Sequence, residues 1–385
     1  MDFAEPPDAA AIRESVRGLC AGFPGEYWRG LEPDTYPTEF VQALTAQGWL
    51  AALIPEEYGG SGLPLGTASV ILEEISASGA NAAACHAQMY TMGTLLRHGS
   101  EAQKRAYLPR IASGELRLQA FGVTEPNAGS DTTRIATRAR RSGDGWVVDG
   151  QKIWTSRAAH SDLMVLLART TPPEEVERRT DGLSVFLVDM RDRGAELTIR
   201  PIRTMMNHST TEIYLEGLRL PADALIGQEG QGFRHILDGM NAERILIAAE
   251  CIGDCAFFLD RAVAYASERV VFDRPIGANQ GVQFPLARAH MARAAADLMR
   301  WKAAWLYDNG QPSGAEANMA KHLASEASWA AANAALDTHG GFGFAQEYDI
   351  ERKFRETRLY MIAPVNNNLI EAYVAQHVLG LPRSY

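Results

Sequence analysis

The hydrophobic and polar positions of this chain follow two different spacings, and the spacing changes twice along the chain. From residue 9 to about 118 apolar side chains recur every three or four positions, which predicts helices. From about 118 to 230 the pattern becomes short alternating runs, which predicts strands. The runs, separated by Gly, Asp and Pro, are GWVVDG, LMVLLAR, LSVFLVDM, LTIRPI and TEIYLEGL. After Gly232 the helical spacing returns and continues through residues 282–309, 315–339 and 365–379.

The order helical, β, helical predicts an α+β multidomain protein. We expect an N-terminal helical domain over 1–118, a middle β-barrel or β-sandwich over 119–231, and a C-terminal helical bundle over 232–385. A chain of 385 residues exceeds the size at which one core stops growing, so several packed domains are expected. Within this frame Pro109 is predicted to close a helix, and residues 170–182 are predicted to form an exposed hairpin loop.

Composition narrows the function classes. The chain carries 37 Lys and Arg against 47 Asp and Glu, and no basic stripe stands out, which argues against a protein that coats nucleic acid. No apolar run reaches about 18 residues, and the acidic N-terminus lacks a secretory pattern, so we expect a protein of the cytoplasm. Four irregularly spaced cysteines agree with a reducing compartment, and the nine histidines show no metal spacing.

Three strings rich in small polar residues are candidate ligand loops. The string at 122–131, GVTEPNAGSD, offers N–H and hydroxyl groups to an anionic or carbonyl-rich ligand, although a tight connector has the same composition. In GQKIWTS, at 150–156, Trp154 can cover a planar ring whose edge Thr155 and Ser156 bind, and a buried core Trp is the alternative. In DTHGGFGF, at 337–344, paired glycines can approach a phosphate or simply end a helix.

These strings belong to a longer ordered set that resembles the motifs of the acyl-CoA dehydrogenase family. The set is IPEEYGGSG, VTEPNAGSD, GQKIWTS, ERVVFDRPIGANQ and DTHGGFGFAQEYDIERKFRETR, and it covers nearly the whole chain. The resemblance implies the acyl-CoA dehydrogenase fold, with a helical N-terminal domain, a β domain and a C-terminal four-helix bundle. It also implies FAD between the β domain and the bundle, and a homotetramer built as a dimer of dimers.

The resemblance further implies which residues bind the cofactor. The loop from Phe121 to Ser130 would hold the flavin, and Ser130 would face both cofactor and CoA. The expected flavin contacts are Phe121, Val123, Thr124, Gly129, Ser130, Trp154, Thr155 and Ser156. The residues expected at the pyrophosphate and adenine of the neighbouring subunit's FAD are Arg269, Phe272, Gln280, Asp337, Gly340 and Gly341. Asn366 and Asn368 are two further expected cofactor contacts. Asp337 departs from the Gln of many relatives, and a carboxylate beside a pyrophosphate is unfavourable.

The family reaction needs one Glu within hydrogen-bond reach of the substrate α-carbon, in a dry pocket. Most relatives carry this Glu near the C-terminus, but residues 360–368 contain no carboxylate and Pro364 lies at the Glu position. A minority of relatives, including isovaleryl-CoA and long-chain dehydrogenases, place the base on a bundle helix immediately before an Arg. Glu243 and Arg244 match that pattern, which makes Glu243 the expected base. Glu250 is a rival about 10.5 Å further along the helix, and a solvated charge near a helix N-terminus is the alternative for Glu243.

Substrate contacts are expected from a small set, namely Ser130, Arg234, Asn241, Arg244 and Pro364. Arg234 could meet a CoA phosphate or a carboxylated acyl tail, or it could be a surface charge. Pro364 lacks the backbone N–H that helps to polarise the thioester carbonyl in relatives, so that contact would come from the FAD ribityl hydroxyl or elsewhere.

The sequence therefore predicts FAD-dependent oxidation of a saturated acyl-CoA to its trans-2-enoyl-CoA. Glu243 would take the α-proton, flavin N5 would take the β-hydride, and electrons would pass to an electron-transfer flavoprotein. One alternative is an oxygen-using oxidase or monooxygenase acting on a tailored substrate, suggested by the segment APVNNN. An alternative of another class is a catalytically silent scaffold that binds flavin or CoA.

Overall fold

The computed structural model describes residues 5–383, which form two compact units. The first unit contains residues 5–32, 64–82 and 241–383, and the second contains Pro33–Leu63 and Ala83–Met240. Residues 1–4 and 384–385, which belong to the first and third predicted domains, lie outside the described residues. The domain boundaries near 118 and 231 stay predictions.

Helices occupy both ends of the chain, as the apolar spacing predicted. The N-terminal helices are α1 (Ala9–Ala21), α2 (Gly25–Gly30), α3 (Thr38–Ala46), α4 (Leu65–Ala77), α5 (Ala83–His98) and α6 (Glu101–Ala112). Helix α6 begins with a capping box, in which Ser100 and Gln103 exchange side-chain and backbone hydrogen bonds. The same helix continues through Pro109, so the predicted helix end at this proline is wrong. A proline removes one donor within a helix, but α6 has only three residues left after it.

The middle of the chain supplies an eight-stranded sheet. Its strands are β1 (Leu118–Gly122), β2 (Arg138–Ser142), β3 (Gly145–Ser156), β4 (Leu163–Arg169), β5 (Leu183–Asp189), β6 (Leu197–Pro201), β7 (Thr210–Leu220) and β8 (Leu225–Ile226). The order is β6-β7-β3-β2-β4-β5-β8, and β1 pairs in parallel with β4. Strands β4 and β5 pair antiparallel, which confirms the predicted hairpin around residues 170–182.

Both faces of β4 are covered, which explains the unbroken apolar run LMVLLA that precedes Arg169. Leu163, Val165 and Leu167 join a core cluster that includes side chains of α5 and α6. The alternate residues Met164 and Leu166 join a second cluster within the β part. Because neighbouring side chains of a strand point to opposite faces, a strand buried on both faces needs apolar residues at every position.

The C-terminal part is again helical. It contains α7 (Gly232–Glu268), a short hairpin of β9 (Val270–Val271) and β10 (Arg274–Pro275), α8 (Gln280–Asp308), α9 (Gly314–His339), α10 (Ile350–Thr357) and α11 (Asn367–Tyr373). Side chains of α7, α8 and α9, such as Phe258, Leu286 and Ala331, share one core cluster. Within residues 5–383, no helix has both the length and the apolar character that a membrane crossing requires.

Candidate functional site

The loop at 122–131 is fixed to strand β3 by a buried ion pair. The Glu125 carboxylate accepts hydrogen bonds from the Lys152 ammonium at 2.8 Å and from the backbone N–H groups of Ala136 and Thr137 at 2.7 and 2.8 Å. Burial alone would raise the pKa of Glu125, but the Lys152 charge and these donors hold it below its ordinary value. Lys152 also donates to the Val123 carbonyl at 3.0 Å. The 122–131 loop and the 150–156 segment are therefore held together, and we call these two segments the loop platform.

Trp154 lies at an irregularity in β3. The pairing of β3 with β7 shifts register between Lys152 and Thr155, and Trp154 has φ 60°. Left-handed backbone is costly for a residue with a large side chain, and bulges commonly re-aim side chains next to functional sites. The Trp154 side chain is 57% exposed, so it is not the buried core residue of the alternative interpretation.

Thr155 and its neighbours offer groups that fit the edge of a planar polar ring. Thr155 is buried, its carbonyl accepts from the Thr211 hydroxyl at 2.6 Å, and its own Oγ1 has no hydrogen-bond partner among the described residues. A buried hydroxyl without a partner costs free energy unless a ligand supplies one. Together with the exposed Trp154 ring, this orphaned hydroxyl fits the flavin edge that the motif implies.

The other predicted flavin contacts of this unit lie along the same loop. Phe121 is the last residue but one of strand β1 and is half-buried, with its ring edge-on to Tyr90 at 5.4 Å between centroids. Val123 and Thr124 are half-buried, whereas Gly129 and Ser130 are exposed. Ser156 pairs with Thr210 at the end of β3. The structure thus brings the members of the first predicted set to one loop platform within the second unit.

A cavity of about 590 Å³ opens in the first unit and contains four predicted cofactor residues. Its lining includes Arg269, Asp337, Gly340 and Gly341, together with aromatic rings of Tyr265 and Phe342. A Cβ atom added at Gly340 or Gly341 would meet no atom within 4 Å, so the backbone there is open to a ligand. A guanidinium, bare backbone and aromatic faces fit a pyrophosphate and an adenine, while Asp337 adds an opposing charge.

Two predicted members of that set lie outside the cavity lining. Phe272 sits between β9 and β10 with φ 52° and is 93% exposed. Gln280 is the first residue of α8 and is exposed. Both side chains are exposed in the single chain and so are accessible to a ligand.

Glu243 is a buried carboxylate in the body of α7. It is 7% exposed and lies eleven residues after Gly232, where the helix begins. The alternative of a solvated charge at a helix N-terminus is therefore wrong. Arg244 is also buried, and its Nη1 donates to Asn241 Oδ1 at 3.1 Å. Burial lowers the pKa of Arg244, and the Glu243 charge opposes that shift.

The rival carboxylate Glu250 is engaged elsewhere. It is fully buried, and its Oε2 accepts a hydrogen bond from the Tyr360 hydroxyl at 2.5 Å. Burial, and next the Glu250 charge, raise the pKa of Tyr360 well above its ordinary value. Tyr360 therefore stays a neutral donor to Glu250.

The remaining predicted contact residues differ in their exposure and in their hydrogen bonds. Arg234 is exposed on the first turn of α7, and Pro364 is half-buried. Asn366 caps helix α11 by accepting from the Leu369 N–H at 2.9 Å, and Asn368 is exposed. Throughout residues 5–383, no group of three or more His, Cys, Asp or Glu side chains is arranged to hold a metal ion.

Sequence reasoning missed the residue between these two Asn. Asn367 is buried and accepts a hydrogen bond from Lys321, a fully buried lysine of α9. A single Lys in an Ala-rich helix is ordinarily solvent-facing, so nothing in the local pattern signalled this pair.

Comparisons with known proteins cover the chain from end to end. Three family models match: the acyl-CoA dehydrogenase N-terminal domain over residues 6–115, the middle domain over 120–218 and the C-terminal domain over 230–379. The acyl-CoA dehydrogenase fadE12 of Mycobacterium bovis is 36% identical over 387 aligned positions, covering 100% of this chain and 99% of that protein.

Solved structures show the same relationship in three dimensions. The structure of the glutaryl-coenzyme A dehydrogenase glutaryl-CoA complex is 30% identical, with a TM-score of 0.92, and covers 100% of this chain and 98% of that one. The prolyl acyl carrier protein oxidase AnaB is 26% identical, with a TM-score of 0.88, and covers 98% and 100%.

Proposed function

Since this chain belongs to the acyl-CoA dehydrogenase family and is a flavin-dependent oxidoreductase, we propose that it oxidises a saturated acyl-CoA thioester to the trans-2-enoyl-CoA, with Glu243 as the base. The observation that carries the assignment is the buried carboxylate of Glu243 in the body of α7, in a chain whose residues 360–368 contain no carboxylate. A carboxylate removed from water is a stronger base toward a weakly acidic C–H bond.

The roles of the other residues follow from their chemistry. FAD, when bound, supplies the acceptor for the β-hydrogen, which leaves with its electron pair as hydride. Thr155 Oγ1 and the Trp154 ring would orient the flavin edge and face, and Arg269 with Gly340 and Gly341 would bind the pyrophosphate of the neighbouring subunit's FAD. Glu243 would hold the α-proton after it leaves the substrate, so that one proton and one hydride account for the two hydrogens lost.

The test is an anaerobic titration of the purified holoprotein with isovaleryl-CoA, octanoyl-CoA and palmitoyl-CoA, followed by the visible flavin band. We expect one thioester to bleach the band in the wild type and in Glu250→Gln, and none to do so in Glu243→Gln. Glu250→Gln is the matched control because it makes the same change seven residues later on the same helix. Near-normal bleaching in Glu243→Gln would show that the base lies elsewhere.

A second candidate is an oxygen-using oxidase, favoured by the similarity to the prolyl acyl carrier protein oxidase AnaB. Oxygen consumption separates the two. A dehydrogenase reduced by substrate should be reoxidised by an electron-transfer flavoprotein much faster than by air, whereas an oxidase should consume one O₂ per turnover without that partner.

We also propose that the chain acts as a homotetramer, because α8 carries an apolar stripe that is exposed in the single chain. The stripe consists of Phe284, Met291, Leu298 and Trp305, which are 50%, 61%, 57% and 57% exposed. They recur every seven residues, with the exposed small residues Ala287 and Ala294 between them. A heptad seam of this kind packs against a helix of matching spacing, and the α8 of another copy has that spacing.

A further inference from the structure

The cavity of the first unit is lined by more carboxylates than cations. The charged residues of its lining are Arg269, Asp337 and Glu347, which are one guanidinium and two carboxylates. His339 also lines the cavity, and burial lowers the pKa of its imidazole below the ordinary value, so it adds no charge at neutral pH. Charge alone therefore does not match this lining to a pyrophosphate. A cofactor that binds here needs a group that suits a carboxylate as well as groups that suit Arg269.

Arg269 and Asp337 reach the cavity from two different helices and do not pair with each other. Arg269 directly follows α7, which ends at Glu268, and Asp337 lies in the last turn of α9, which ends at His339. Both residues are exposed, and within residues 5–383 neither side chain forms a hydrogen bond or an ion pair. The guanidinium and the carboxylate are therefore both available to a ligand, and to two different groups of it.

Hydrogen-bond chemistry assigns different ligand groups to these two side chains. An ionised carboxylate only accepts hydrogen bonds, and phosphate oxygens also accept them, so Asp337 and a pyrophosphate have no hydrogen bond to share. A guanidinium only donates, which suits the phosphate oxygens. The hydroxyl groups of a ribose are neutral donors, and carboxylates accept from them in other dinucleotide sites. Arg269 thus suits the pyrophosphate of an ADP group, and Asp337 suits its ribose.

The position of Asp337 agrees with this assignment. It lies three residues before Gly340, about one helical turn from the glycine pair whose backbone is open to a phosphate. In an ADP group the ribose is joined directly to the phosphates. Tyr265 and Phe342 line the same cavity, with ring centroids 6.3 Å apart, and offer aromatic faces to an adenine. The lining therefore contains one partner for each part of an ADP group.

We propose that Asp337 is a specificity-determining residue of the cofactor site, which accepts hydrogen bonds from the hydroxyl groups of the adenosine ribose of FAD. The inference rests on the proposed role of this cavity in binding the neighbouring subunit's FAD. It predicts that the Asp337 carboxylate strengthens FAD binding. A carboxylate placed beside the pyrophosphate would weaken FAD binding, so the sign of the effect separates the two arrangements.

The experiment is a titration of the full-length apoprotein, followed by flavin fluorescence. The ligands are FAD and an FAD analogue whose adenosine ribose lacks both hydroxyl groups. We expect the wild type to bind the analogue about tenfold more weakly than FAD, because hydrogen bonds to a charged acceptor are lost. Asp337→Ala should bind FAD about tenfold more weakly than the wild type does, and should bind FAD and the analogue equally. Since Asp337 is exposed, the variant should keep the wild-type melting temperature.

Glu347→Ala is the matched control, because it removes the other carboxylate of the same lining. This variant should keep the tenfold preference for FAD over the analogue. If Glu347→Ala lost the preference and Asp337→Ala kept it, the ribose would belong to Glu347 and the inference would be wrong.

Two further results would contradict the role of Asp337. Tighter FAD binding by Asp337→Ala would show that the carboxylate opposes the pyrophosphate. Equal wild-type affinity for FAD and the analogue would show that no side chain recognises the ribose hydroxyls. Neither result touches the proposed oxidation of an acyl-CoA, which the bleaching of the flavin by a thioester tests separately. A wild type that bound no FAD would overturn the proposed function and this inference together.

Discussion

At the scale of single residues, Trp154 shows how backbone geometry creates a binding feature that composition hides. A Trp in a strand is ordinarily a core residue. Lys152 lies two positions before Trp154 and is buried, so regular strand alternation would bury Trp154 on the same face. The left-handed φ at Trp154 breaks the alternation and leaves the indole 57% exposed. Strain and exposed apolar surface both cost stability, and we propose that a ligand covered by the ring compensates this cost.

Replacing this side chain should therefore weaken cofactor binding without harming the fold. We expect Trp154→Ala to reduce FAD affinity about tenfold, the loss of one well-placed aromatic contact, with an apoprotein melting temperature at or slightly above that of the wild type. Fluorescence titration of apoprotein with FAD measures the affinity. Trp49→Ala is the control, because Trp49 belongs to the same unit and its indole N–H donates to the nearby Gln47. Equal FAD affinity in Trp154→Ala would remove this residue from the flavin site.

At the scale of elements, the Glu125–Lys152 pair decides how the 122–131 loop lies on strand β3. Both side chains are buried, so removing one partner leaves the other as an unpaired charge in the interior. The exposed pair Arg140–Asp149 joins β2 to β3 in the same sheet and provides a comparison in solvent. Buried and exposed pairs respond very differently to the loss of one partner.

Lys152→Met should destabilise the protein by about 3 kcal/mol, because Glu125 must then be protonated or exposed to water. Arg140→Met should cost less than about 1 kcal/mol. The double variant Lys152→Met with Glu125→Gln should lose less stability than the two single changes added together, since no charge stays buried. Urea denaturation of the apoproteins followed by circular dichroism gives these values. Additive losses would mean that the two side chains do not interact.

How far the sequence predicted these elements depended on whether the determinants were local. Strands β4 and β5 and their hairpin were predicted from short apolar runs and turn residues within one stretch, Leu163–Asp189. The parallel pairing of β1 with β4 was not predicted, because it joins segments more than forty residues apart. Lys321 was missed for the same reason, since its partners Val365 and Asn367 lie on another element. Glu243 was predicted from its Arg neighbour, but only the helix start at Gly232 showed that it is not a terminal charge.

At the scale of the whole molecule, chain order and compact units differ. The segments 5–32 and 64–82 join the C-terminal part of the chain in one unit, while Pro33–Leu63 joins the β part. Apolar periodicity predicts which residues form helices but not which distant helix receives each apolar face. Periodicity likewise does not show which surface outside the chain packs against the exposed stripe of α8. The mass of the protein in solution tests whether that surface belongs to another copy.

Leu298, in the middle of that stripe, is the position at which a charge should break the assembly. We expect the wild type to be a tetramer by size-exclusion chromatography with light scattering, and Leu298→Glu to run at half that mass, because an unpaired carboxylate cannot be buried between two apolar seams. Ala292→Glu places the same charge on α8 at an exposed position about 100° away from Met291, off the stripe, and should stay tetrameric. If Leu298→Glu kept the wild-type mass, α8 would not form the interface between copies. If the wild type itself were a monomer, Phe272 would have no neighbouring cofactor to reach, and its expected contact with a neighbouring subunit's FAD would be wrong together with the tetramer.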